Sequence, residues 1–95
     1  MDKIENISNK INPILKKYSV IKAGIFGSYS RNENHENSDL DILVSFEKPI
    51  SLISFYRLKR ELEQETGLTV DLVSENSLIS HFRNFVEKDL IKIYG

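Results

Sequence analysis

Asp39 and Asp41 stand one residue apart in Ser38-Asp39-Leu40-Asp41-Ile42-Leu43-Val44, inside a run whose apolar residues alternate. On a strand, that spacing projects both carboxylates from one face, roughly 6 to 7 Å apart along the chain. Hard oxygen donors in such a pair suit Mg²⁺, which commonly takes one or two carboxylates and completes its shell with water and phosphate oxygens. Two such ions together can activate an attacking oxygen and stabilise a leaving one. Asp71 lies within Val70-Asp71-Leu72-Val73, where a lone acid among apolar neighbours is costly unless paired, hydrogen-bonded or bound to metal. If its strand neighbours that of Asp39, three carboxylates converge.

Upstream, Phe26-Gly27-Ser28 ends an apolar run at what reads as a tight turn into a short helix. Such a turn presents backbone amides to phosphate oxygens; Gly27 permits close approach and the Ser28 hydroxyl adds a donor. Arg31 follows one turn later, placed either to reach a triphosphate or to fix the polar loop against the carboxylates. Taken alone, Ser38 and Asp39 could simply cap a turn. His35 sits in a loop rich in Asn and Glu, and His81 follows a helical register beside Phe82 and Phe85, so neither accompanies Ser28 as the base of a hydrolase.

Gly27-Ser28, Arg31 and Ser38-Asp39-Leu40-Asp41 resemble the G-S…S-D-x-D signature of the DNA polymerase β-like nucleotidyltransferase superfamily. The short chain and the later Val70-Asp71-Leu72-Val73 look most like its minimal nucleotidyltransferases, which occur in prokaryotes as antitoxins paired with HEPN-domain toxins. The resemblance implies that Asp39, Asp41 and Asp71 bind metal and carry catalysis, with Asp71 also helping to deprotonate the acceptor. It places the nucleotide phosphates on Gly27 and Ser28, with Arg31 and Ser38 completing the nucleotide-binding set. The implied reaction moves AMP from ATP to an acceptor hydroxyl, with two Mg²⁺ ions as cofactor and a tyrosine of a cognate HEPN toxin as acceptor. Many relatives have Gly directly after the arginine, where this chain has Asn32. Two other readings stand beside the enzyme: a non-catalytic antitoxin that occludes its toxin, and a small-molecule adenylyltransferase, which usually needs a further substrate domain.

These residues need a scaffold. Ile4, Ile7, Ile11, Ile14, Leu15 and Tyr18 recur at helical spacing, with Pro13 inside the pattern predicting a kink or two short helices. Val20 to Phe26 and Leu40 to Phe46 read as strands, and Leu68 to Ser74 as a third. Ser51 is placed to cap a helix carrying Leu52, Phe55, Leu58 and Leu62, which Gly67 ends. Leu78, Phe82, Phe85 and Val86 mark a last helix, and Leu90 to Tyr94 is its end or a short edge strand. The fold class is α/β (α+β): a small mixed β-sheet with helices on one face and the other face open.

Ninety-five residues, 40% hydrophobic and 28% charged, suit one domain over 1–95. With 13 basic and 14 acidic side chains the net charge is −1, so no global field points to nucleic acid or a membrane surface, and no direct nucleic-acid binding is expected. The absence of cysteine removes disulfides and thiolate chemistry. The apolar runs fall short of a bilayer span and Met1-Asp2-Lys3-Ile4-Glu5-Asn6 lacks a signal core, so a cytoplasmic protein is expected.

Overall fold

A computed structural model describes residues 3–35, 38–77 and 80–95 of the chain. Helix α1 (Lys3–Lys17) leads into strand β1 (Val20–Phe26), and a polar turn connects it to β2 (Leu40–Phe46). Helix α2 (Leu52–Thr66), β3 (Val70–Ser74), a single 3-10 turn (Glu75–Ser77), helix α3 (Ser80–Lys88) and β4 (Ile91–Tyr94) follow. The four strands form one sheet in the order β3-β2-β1-β4. β1 runs antiparallel to both β2 and β4, whereas β2 and β3 are parallel, joined by the α2 crossover.

The alternation in β2 decides what each sheet face does. Leu40, Ile42 and Val44 are fully buried against Ile11 and Leu15 of α1 and Leu58 and Leu62 of α2, with Val70 and Leu72 of β3 extending the same cluster. Ser8 and Asn12 side chains also donate to the Ile93 carbonyl at 3.3 and 3.2 Å, tying α1 to the edge strand. α1 is one helix rather than two: Pro13 lies on its exposed side, where the carbonyl its ring leaves unpaired can meet water.

α2 begins and ends as its sequence predicts. The Ser51 hydroxyl accepts from the Ser54 amide at 3.0 Å, and Gly67, at φ +71°, closes the helix by donating to the Glu63 carbonyl at 2.8 Å. β3 starts two residues later than the apolar run suggests. The Leu68 amide donates instead to the Thr66 hydroxyl at 3.2 Å, so sheet pairing begins at Val70. Leu90 precedes β4 and the segment is an edge strand, the second of the two readings of that stretch.

The expectation of helices on one face holds for α1 and α2 and fails for α3. Val86 of α3 is 1% exposed and packs with Phe26 and Leu43, whose side chains leave the sheet on the opposite side from the main core. The second face is therefore partly roofed rather than open. A further apolar set there, Phe26, Leu43, Val73 and Leu90, supplies the reason. Leu78 and the side chains of His81, Phe82 and Phe85 lie outside the described residues.

Candidate active site

The second sheet face carries the acids. In the parallel pairing of β2 with β3, Asp41 is the direct register partner of Asp71. Register partners on neighbouring strands point the same way, so the condition for convergence set by the sequence is met for these two. Asp39 precedes β2 by one residue and is exposed, while Leu40 donates to the Thr69 carbonyl at 2.8 Å and so extends the pairing towards it. Among the described residues no three acidic or imidazole groups close around one point, so the strands deliver a pair with Asp39 at its rim.

The pair is electrostatically strained. Burial pushes the Asp41 carboxyl up to about 6, and the charge of Asp71, a hydrogen bond shared with it, and the charge of Asp39 act in the same direction. Arg31 opposes them weakly. Such a group invites a proton or a cation, and an all-oxygen donor set matches a hard dication.

On the other side of Asp41, antiparallel pairing sets it opposite Phe26, the last residue of β1. Gly27 follows at φ +75°, a conformation costly to any side chain, and a Cβ built there would land on the Asp41 carboxylate. Among its described residues the turn contains no regular helix, where the sequence suggested a short one. Its hydrogen bonds run from Ser30 and Arg31 to the Gly27 carbonyl at 3.1 and 3.2 Å and from Glu33 to the Ser28 carbonyl at 2.8 Å. Asn32 adopts φ +58°, which accounts for its standing where relatives often have Gly: asparagine tolerates the left-handed region better than most residues.

Arg31 bonds to carboxylates that the sequence did not suggest. Its Nε donates to Glu33 at 3.1 Å and its Nη1 to Asp89, beyond the end of α3, at 2.9 Å. The Ser38 hydroxyl accepts from the His35 amide at 2.8 Å, closing the turn before β2 as a capping residue does. Asp89 was the residue missed. An acid just after a helix C-terminus opposes the helix dipole, and that misfit was the one signal available for it.

The chain, a mixed sheet with an acidic register pair beside a glycine turn, belongs to the nucleotidyltransferase family described as "Polymerase beta, Nucleotidyltransferase", which matches residues 9–95. A Methanocaldococcus jannaschii chain named as a candidate protein adenylyltransferase is 52% identical over 75 residues, covering 79% of this chain and 81% of that one. The protein adenylyltransferase MntA of Thermococcus cleftensis is 39% identical over 94 residues, covering 98% and 95%. Among solved structures, a chain of a toxin-antitoxin crystal structure with AMP-PNP superposes with TM-score 0.83 at 29% identity, covering 93% of this chain and 73% of that one. A chain of the tri-AMPylated Shewanella oneidensis HEPN toxin in complex with MNT antitoxin superposes with TM-score 0.76 at 25% identity, covering 100% and 73%. Among the described residues no helix is long and apolar enough to cross a membrane.

Proposed function

We propose that this chain is a cytoplasmic antitoxin that transfers AMP from ATP to a tyrosine hydroxyl of a HEPN-domain toxin. The observation that carries the reading is the register pairing of Asp41 with Asp71 immediately beside Gly27. The relatives' names, the AMP-PNP complex and the AMPylated toxin supply the nucleotide and the acceptor.

Asp41 and Asp71 would hold Mg²⁺ as two ions, with Asp39 at the rim as a further ligand; once bound, the metal neutralises phosphate charge and lowers the pKa of the attacking hydroxyl. A protein contribution of one or two carboxylates is the usual one for this ion, so the open arrangement fits. Gly27 and Ser28 bear the phosphates: among the described residues the turn's own hydrogen bonds are donated from Ser30 onward, which leaves the Ser28 and Tyr29 amides ahead of them for an anion. Asp71 takes the acceptor proton as the acceptor oxygen bonds to the α-phosphorus and the bond to pyrophosphate breaks. Ser38, held by the His35 amide, keeps its hydroxyl hydrogen to donate to the nucleotide.

The test is incubation of the purified chain with Mg²⁺, labelled ATP and its HEPN partner. The partner gains mass in units of AMP, and Gly27→Val, which sets a side chain against Asp41, abolishes the gain. A partner silenced with no added mass would instead establish the occluding antitoxin.

A further inference from the structure

We propose that Asp89 is a positioning residue for nucleotide capture: from the end of α3 it holds the Arg31 guanidinium so that its unengaged Nη2 meets the triphosphate. The inference rests on the function proposed above and adds to it a residue outside the family signature.

Arg31 belongs to the turn that follows β1, and Asp89 lies 58 residues later, in the short link between α3 and β4. Their 2.9 Å ion pair ties the end of α3 to that turn, and Val86 packs in the apolar cluster with Phe26 and Leu43 of the strands. Among the described residues the ion pair is thus a charged attachment of the α3 end to the phosphate turn itself.

Asp89 is badly placed on local grounds. The last turn of a helix favours cations, as Lys88 illustrates, and a carboxylate there is disfavoured by the unpaired carbonyls. Pairing with Arg31 reverses that cost, and Asp89 is the larger influence on the arginine, ahead of Glu33. The two carboxylates engage Nε and Nη1, which leaves Nη2 without a bond among the described residues. A guanidinium held from two sides, at Nε and at Nη1, points its remaining nitrogen, Nη2, in a fixed direction, where it can donate to a phosphate oxygen. The Arg31 amide donates to the Gly27 carbonyl at 3.2 Å and Gly27 abuts the Asp41 carboxylate, so the guanidinium springs from the turn that borders the acidic pair. Without Asp89 the side chain keeps, among the described residues, Glu33, two residues away on the same turn, and loses its fixed direction.

The experiment is a double-mutant cycle read by calorimetric titration of ATP with Mg²⁺ and by transfer kinetics. Asp89→Ala is expected to weaken ATP binding roughly five- to tenfold, the range of a partly exposed charge-assisted bond, and to raise KM with little change in kcat. Asp89→Glu recovers most of the affinity, and Asp89→Ala adds nothing in an Arg31→Ala background, because the arginine it positions is gone. Thermal melts of each variant separate positioning from folding; Val86→Ala, which loosens the same helix without touching the ion pair, lowers the melting temperature and leaves the ATP affinity near that of wild type. Independent, additive losses from Arg31→Ala and Asp89→Ala would overturn the inference while leaving the proposed function intact. Wild-type protein that binds no ATP with Mg²⁺ would overturn the proposed function and this inference together.

Discussion

The two faces of the sheet are made by the same strands and obey opposite rules. On the α1 and α2 side, Leu40, Ile42, Val44, Val70 and Leu72 meet Ile7, Ile11, Leu15, Leu58 and Leu62 in one cluster of buried apolar side chains. On the α3 side, the next residues along, Asp41 and Asp71, take the places that hydrophobes take on the first face, while Val86 packs beside them in a smaller cluster with Phe26 and Leu43. One face stores the stability that the other expends in bringing like charges together. A period of two allows this division within a single strand, since neither face constrains the residue types of the other.

The largest stability effect expected from this contrast is on the filled face. Leu62→Ala empties a site with no exposed surface and should destabilise the protein by about 2 to 5 kcal/mol, measured by denaturant unfolding, while the geometry of the acidic pair survives in the folded fraction.

A smaller effect of opposite sign is expected from the active face. The Asp41 carboxyl, ordinarily near 3.8, titrates at about 6 in the folded chain. Between those values the folded state binds more protons than the unfolded one, so stability falls as pH rises through this window, and the penalty is complete above about 6. Without Mg²⁺, Asp41→Asn should therefore be more stable than wild type at pH 7 and should converge on it towards pH 4, in melts recorded across that range. Parallel curves would remove the claim that the pair is strained. Glu61 and Glu75, whose pKa values are lowered by the Tyr18 and Ser45 hydroxyls, contribute with the opposite slope and cancel in the comparison.

Smallest is the cap of the crossover helix that sets β3 beside β2. Ser51→Ala removes the bond to the Ser54 amide and should cost about 1 kcal/mol in unfolding free energy with transfer unchanged.

What could be read from the chain beforehand divides along the same line. Strand β2 and helix α2 were legible because their signals are local: alternation from Leu40 to Phe46, a serine before the helix and a glycine after it. Asp41 and Asp71 stood out as candidates because a carboxylate in an apolar strand is costly if buried; the fold half-buries Asp41 and leaves Asp71, like Asp39 before the strand, exposed. The side of the sheet taken by α3 was not legible, since a nine-residue helix buries little and its placement follows from Phe26 and Leu43, far away in sequence. The partners of Arg31 were hidden for the same reason. Only the fold brings Asp89 to the turn, and a surface acid after a helix is rarely informative by itself.

The central claim is that the acidic face exists for adenylyl transfer and contributes little to holding the molecule or its partner together. Asp71→Ala tests it most directly, with mass gain on the HEPN partner, capture of that partner and the melting temperature followed on one preparation. Transfer should fall at least about a hundredfold, the usual cost of one electrostatic element of a transition state, while capture persists and the melting temperature holds or rises. Transfer at the wild-type rate, or a variant that unfolds, would contradict the division of the sheet into a face that stabilises and a face that reacts.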